Sequence, residues 1–352
     1  MTILVTGGSG YFGEVLCRQL LATGEKVRIF DLNPPGFTHE NLEFVQGDIR
    51  HLEAVERACA GSEIVHHNVA QVPLAKDKDL FWSVNHEGMR ILLQAARKAN
   101  VQKLVYTSSS AVFGVPKQNP VTEDTLPAPA EDYGRAKLAG ETLCREAFAH
   151  GLDISIVRPR TILGHGRLGI MQILFDWVAR DCDVPVFDGG RNVYQFVQAD
   201  DLAAACIAAG NHKDFGVYNV GAKKFGTMAE LLSSVIRHAN SKSKIRSVPM
   251  APTQFMMHLM ETLGLSPLGP YHALMYGRSM FFDTTRAEQE LGWQAKYSNE
   301  QMICESYDWY MQHSAQLAAA NMQHRSHHQS PVKKGILSLA PLILGLFPEV
   351  KI

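Results

Sequence analysis

The stretch ILVTGGSGYFGEVLCRQLLATG, residues 3–24, decides the fold. Ile3–Thr6 is a short apolar, partly β-branched run that reads as a strand. The apolar positions after Tyr11 recur at helical spacing until Gly24 stops them. Between the two lies a turn with Gly7, Gly10 and Gly13 in the spacing G-x-x-G-x-x-G, with Tyr11 and Phe12 inside it. Glycine lets such a turn close tightly, lets backbone N–H groups approach a pyrophosphate, and lets the helix pack on the sheet. The helix N-terminus adds partial positive charge for the phosphates. Strand, glycine turn and helix in that order are the context in which this triad signals a dinucleotide site.

Working outward, KVRIFD (26–31) reads as a second strand ending at Asp31, 18 residues beyond Gly13. A carboxylate there can accept hydrogen bonds from the adenosine ribose and repels a 2′-phosphate. No Arg follows immediately, so NAD is expected rather than NADP. Further strands are expected at 42–49, 63–70, 103–109 and 153–159, separated by helical patterns at 51–61, 85–100 and 132–151. Apolar strands alternating with amphipathic helices give an α/β fold, a doubly wound parallel (Rossmann) sheet covered on both faces. The reading assigns residues 1–163 to it, with 191–221 returning. Residues 164–190 and 222–320 form a smaller, C-terminal substrate-binding part, and 321–352 a polar linker and apolar tail.

The chain has 352 residues, 46% hydrophobic and 20% charged, enough for a substantial core. A formal net charge of −1 argues against nucleic acid as a partner. Six scattered cysteines without a C-x-x-C pair read as free thiols of a reducing compartment. MTILVTGGSG lacks a signal peptide's basic and apolar regions, and no run reaches the ~20 apolar residues of a spanning helix. These features point to a cytoplasmic protein.

EDYGRAKLAGE, residues 131–141, places Tyr133 and Lys137 four apart on a helix, where they share a face. A phenol titrates near pH 10, and a neighbouring ammonium favours its ionised form, which suits Tyr133 for acid–base work. With the glycine turn, these residues resemble the extended short-chain dehydrogenase/reductase family, the NAD-dependent epimerase/dehydratase group. The resemblance runs from residue 1 to about 312, in family order: TGGSGYFG, Asp48-Ile49, VHHNVA (65–70), VNHEGMRILLQAA (84–96), YTSSSAVFG (106–114), YGRAK, RPRTILG (158–164), VQADDLA (197–203) and LGW (291–293).

That resemblance implies NAD as cofactor, Tyr133 as general acid/base and Lys137 as its partner on the nicotinamide ribose. It implies a homodimer through the helices at 85–100 and 132–150. Counting back from Gly114 selects Ser109 as the serine facing the substrate oxygen, with Ser108 and Ser110 as alternates. Asp48 and Ile49 are placed near adenine, Val69 and Ala70 along the cofactor, and Pro159 against the nicotinamide. Asn85 corresponds to an asparagine that supports the active-site helix, a helix N-cap being the alternative. Two departures stand out. Asn68 and Val69 replace small or apolar residues, and Tyr194 of YQFVQA occupies the place of an arginine that grips a diphosphate in sugar-nucleotide epimerases. Arg191 and Arg278 are the candidate replacements among substrate-binding residues.

Residues 251–282 are rich in Met and aromatics, as in a core or a pocket for an apolar ligand. The His-rich stretch 321–332 reads as a polar linker in preference to a metal site, and no metal is expected. KKGILSLAPLILGLFP (333–348) fits either a peripheral membrane contact or a tail packed in a groove. Three functions follow: a nucleotide-sugar epimerase, a dehydrogenase of a lipidic or 3β-hydroxysteroid-like alcohol or ketone, and a non-catalytic NAD-binding scaffold. Ala111 and Val112 stand where a dehydratase carries an acidic pair, so dehydration is disfavoured.

Overall fold

The computed structural model describes residues 1–71, 78–167, 170–255, 275–319 and 344–351. Its central feature is a seven-stranded, all-parallel sheet in the order β11-β6-β5-β4-β1-β2-β3. The strands are β1 (Thr2–Thr6), β2 (Lys26–Asp31), β3 (Leu42–Gln46), β4 (Ile64–His67), β5 (Lys103–Thr107), β6 (Asp153–Pro159) and β11 (Gly216–Val220). Six of them lie where the apolar runs predicted. The seventh, GVYNV, is short and carries a polar Asn219, so only its pairing with β6 reveals it.

Side chains alternate across each strand. Ile3 and Val5 therefore face one layer, packed with α1 (Tyr11–Ala22) and α7 (Ala199–Asn211), while Leu4 faces the other. That second layer comprises α2 (Leu52–Cys59), α4 (Gly88–Lys98) and α5 (Asp132–Ala149); a short α3 (Lys78–Trp82) and a π-helical turn (Ser83–Glu87) precede α4. Burying a side chain such as Leu4 or Leu92 contributes about 1.5–3 kcal/mol each. Burial on both faces also explains why these strands read as continuous apolar runs.

Beyond β6 the chain forms three two-stranded ladders. β7 (Thr161–Leu163) pairs with β10 (Phe196–Gln198), β8 (Val184–Phe187) with β13 (Ile245–Val248), and β9 (Val193–Tyr194) with β12 (Gly226–Thr227). With α6 (Ile170–Ala179), α8 (Met228–His238) and the long helix Asn299–Ala319 they enclose a third apolar cluster. The helix α8 starts with a capping box, Thr227 and Glu230 each accepting the other's backbone N–H.

The six cysteines are free, four of them buried. No helix among the described residues is long and apolar enough to cross a membrane, and no cluster of metal-ligating side chains occurs among them. The His-rich linker and most of the apolar tail lie outside the described residues. The end of the tail lies along β13: Ser247 donates to Pro348 O, Val350 donates to Ile245 O, and Leu344 is buried with Phe187 and Val248.

Candidate active site

The glycine turn closes against backbone. Gly7 has φ +73°, and a Cβ at Gly13 would stand 2.0 Å from Gly7 O, so neither position accommodates a side chain without opening the turn. The helix α1 begins without a side-chain cap, which leaves its first N–H groups to a phosphate. At the end of β2 the Asp31 carboxylate is held by the N–H groups of Ser9 (3.1 Å) and Asn33 (3.2 Å). Burial pushes its pKa up, and those two N–H groups partly offset the effect. The cradle therefore fits the diphosphate and ribose of a dinucleotide.

Val69 and Ala70 follow β4 after Asn68, with the Val69 backbone 3.0 Å from where a Gly7 Cβ would stand. Ile49 is buried against Gly88 at the start of α4, where a Cβ would come 2.8 Å from its side chain. Asp48 is paired with Arg50 (2.5 Å), which holds its pKa down. Pro159 is buried at the end of β6, in register with Val220.

The helix α5 holds Tyr133 and Lys137 in place because its start is pinned. The Glu131 carboxylate caps it, accepting from the N–H groups of Tyr133 and Gly134 at 2.7 Å each. Gly134 lets the helix touch the Ser110–Phe113 turn: a Cβ there would lie 2.3 Å from Ala111 O. Gly140 likewise faces the Tyr106 ring, with 2.5 Å between a would-be Cβ and the hydroxyl. These contacts bring Tyr133 and Lys137 to the carboxyl end of β5, where ligands bind in open α/β sheets.

Lys137 is buried, donates to Thr107 O at 2.8 Å, and has its Nζ 4.9 Å from the Tyr106 ring centre and 5.9 Å from that of Tyr133. Burial lowers its pKa to about 8, with the Glu141 charge acting in the opposite direction. β4 carries two buried histidines on opposite faces, His67 toward Lys137 and His66 toward Gly210 of α7. His66 and His67 are pushed down to about 4 and about 3 by burial, the Lys137 charge adding to the effect on His67. Both are neutral at physiological pH. His67 bonds Thr6 Oγ1 (2.7 Å) and stacks on Tyr106, which makes it a packing residue.

The three serines differ in their partners. Ser108 donates to Glu141 Oε1 (2.6 Å), and Ser110 accepts from Arg160 Nη1 (2.7 Å); both are buried. Ser109 is half-buried, its oxygen accepting only a 3.2 Å bond from the Ala111 N–H among the described hydrogen bonds. Of the three, its hydroxyl is the one without a side-chain partner among the described hydrogen bonds.

Two residues, Glu141 and Arg158, escaped the sequence reading. Glu141 lies one helical step beyond Lys137 and forms a buried bidentate pair with Arg158, at 2.8 and 2.6 Å. The i, i+4, i+8 series Tyr133, Lys137, Glu141 was a signal that could have exposed it. Asn68, a departure from the family pattern, accepts the Thr107 hydroxyl at 2.6 Å and so joins the ends of β4 and β5. Asn85 sits inside the π-helical turn and not at an N-cap; its side chain bonds both backbone groups of Gln71. Arg191 is exposed, whereas Tyr194 is buried with its hydroxyl 2.8 Å from Thr161 Oγ1. Arg278 is half-buried, its Nε enclosed without a hydrogen-bond partner among the described residues.

The model of the NAD dependent epimerase/dehydratase family matches residues 3–221, the span that builds this sheet and this constellation. The chain belongs to that family. Its cofactor is accordingly NAD, and its class is that of an enzyme. An uncharacterized protein, y4nG, of Sinorhizobium fredii is 59% identical over 348 residues, covering 99% of this chain and 87% of that one. A UDP-glucose 4-epimerase of Lactobacillus helveticus is 29% identical over 345 residues, covering 89% and 98%. Sterol demethylase protein B of Methylococcus capsulatus is 36% identical over 171 residues, covering 47% and 52%. Among solved structures, the UDP-glucose 4-epimerase of Thermotoga maritima with UDP-glucose superposes with a TM-score of 0.74 at 24% identity, over 89% of this chain and 99% of that one. The doubly wound fold is thus that of the epimerase structures.

Proposed function

We propose that this family member is a nucleotide-sugar epimerase that works by reversible hydride transfer at a sugar carbinol. The observation that carries the reading is that Lys137 bonds Thr107 O at the carboxyl end of β5, with the Tyr133 ring 5.9 Å from its Nζ and Ser109 two residues beyond Thr107 in the chain. Bound NAD supplies a hydride acceptor that can return the hydride to the same substrate. Tyr133 takes and returns the carbinol proton, the Lys137 ammonium favours the phenolate, and the Ser109 hydroxyl donates to the substrate oxygen. Asp31 and the turn Gly7–Gly13 hold the dinucleotide, with Asp48, Ile49, Val69, Ala70 and Pro159 along it. The third cluster of elements, with 164–190 and 222–320, forms the substrate-facing part. A homodimer through α4 and α5 belongs to the same proposal and is checked by sedimentation.

The similarity to a UDP-glucose 4-epimerase across 98% of that protein's length supports the sugar reading. The test is incubation of the NAD-loaded protein with UDP-glucose, chromatography of the sugar nucleotides, and comparison with Tyr133→Phe. Interconversion with no net NADH, lost in the variant, is the expected result. No interconversion of any nucleotide sugar tried would sink the reading.

Tyr194 in the diphosphate-arginine position and the stretch of similarity to sterol demethylase protein B favour a second reading, a dehydrogenase of a lipidic alcohol. That enzyme would accumulate one NADH per alcohol oxidised, a signal absent from an epimerase.

A further inference from the structure

Arg160, a cation near the proposed reacting centre, has no ion-pair partner among the described residues. Arg160 follows Pro159 at the end of β6 and is 1% exposed. Its Nη1 donates to Ser110 Oγ at 2.7 Å, and its guanidinium carbon lies 4.8 Å from the Tyr194 ring centre and 5.7 Å from that of Phe282. Nε and Nη2 are buried and have no hydrogen-bond partner among the described residues. Those two nitrogens form the edge of a guanidinium that grips two oxygens of one anion. The contrast with Arg158, two residues earlier, is direct: there the same edge, Nε and Nη2, is filled by the Glu141 carboxylate. Burying a charged donor edge without an acceptor is costly, and a fold retains such an edge when something else supplies the acceptor.

Tyr194 bears on what that is. The position where sugar-nucleotide epimerases carry a diphosphate arginine is here a tyrosine, held by Thr161 Oγ1 with its ring against Arg160. In this chain a positive charge stands instead just beyond β6, against the ring of Tyr194. It bonds the serine next to Ser109.

We propose that Arg160 is an oxyanion receptor of the substrate site, its Nε and Nη2 taking two oxygens of one phosphoryl or carboxylate group of the substrate. The proposal rests on Ser109, Tyr133 and Lys137 being the reacting centre, and it places the anion at the arginine whose Nη1 bonds Ser110, the chain neighbour of Ser109. Because the edge is closed to solvent, binding requires a neighbouring side chain to swing aside.

The test is calorimetric titration of the NAD-loaded full chain with UDP, which offers phosphoryl oxygens and no carboxylate, and with D-glucuronate, which offers the reverse. It compares wild type, Arg160→Met and Arg160→Lys, the latter keeping charge and stem but losing the two-pronged edge. Wild type is expected to bind at least one probe, Arg160→Met at least 10-fold more weakly, and Arg160→Lys in between; the probe affected identifies the source of the anion. Equal binding by wild type and either variant, or no binding of either probe by NAD-loaded wild type, overturns the proposal. NAD uptake is measured in the same samples. Normal uptake with unaffected probe binding rejects the Arg160 receptor alone, whereas a wild type that takes up no NAD rejects the proposed function itself.

Discussion

Replacing Lys137 with Met should make the cofactor-free protein more stable at neutral pH while removing its activity. The magnitude follows from burial. Lys137 is 4% exposed, and its pKa falls from 10.5 to about 8. Each pH step of that displacement corresponds to ~1.4 kcal/mol, so holding the ammonium in the fold costs about 3 kcal/mol below pH 8. Met fills similar space without the charge but forfeits the 2.8 Å bond from the ammonium to Thr107 O, a loss of roughly 2 kcal/mol. The expected net gain is about 1 kcal/mol at pH 7, a small rise in Tm. Between pH 8 and 10.5 the unfolded chain binds more protons at this site than the folded one. Wild-type stability therefore rises with pH relative to Lys137→Met, and the order reverses toward pH 10. Urea unfolding of both proteins at pH 7, 8, 9 and 10 measures the difference directly. A variant less stable than wild type at pH 7, or a difference that does not change with pH, would refute the argument. Turnover should drop by roughly 10²–10⁴-fold in the same variant.

Glu141→Gln leaves the buried Arg158 guanidinium undercompensated and should cost about 3–5 kcal/mol in urea unfolding. The double variant Glu141→Leu/Arg158→Met should lose far less than the sum of its two single changes, and strict additivity would count against a coupled pair. Gly13→Ala puts a methyl 2.0 Å from a backbone carbonyl, so NAD affinity should fall by at least about 10-fold, read by fluorescence titration with NADH. Glu131→Ala removes the cap of α5 and should cost about 1 kcal/mol, with faster amide exchange at Tyr133 and Gly134; unchanged exchange would show that the cap does not fix the tyrosine.

Much of this protein is legible in one dimension because its determinants are local. Strand β2 ends at Asp31 as expected, since an apolar run that must be buried on both faces marks its own limits. The strand–glycine turn–helix unit and the four-residue spacing of Tyr133 and Lys137 are likewise properties of neighbouring residues, which backbone geometry turns into a cradle and a shared face. The apolar end of the chain was legible only as needing cover. The contact of residues 344–350 with β13 shows where its described part finds that cover.

What only the tertiary structure decided concerns residues whose partners are distant along the chain. The choice among Ser108, Ser109 and Ser110 turns on Glu141 and Arg160, 33 and 50 positions away from their serines. Asn68 proved to tie the carboxyl ends of β4 and β5 through Thr107, and Asn85 to hold the backbone of Gln71 after β4, because their amides meet those groups only once the chain is folded. Spacing told which side chains share a helix face. Which buried charges are matched, as Arg158 is, and which have no acceptor among the described residues, as at Arg160 Nε and Nη2, depends on desolvation and on contacts that exist only after the layers close over them.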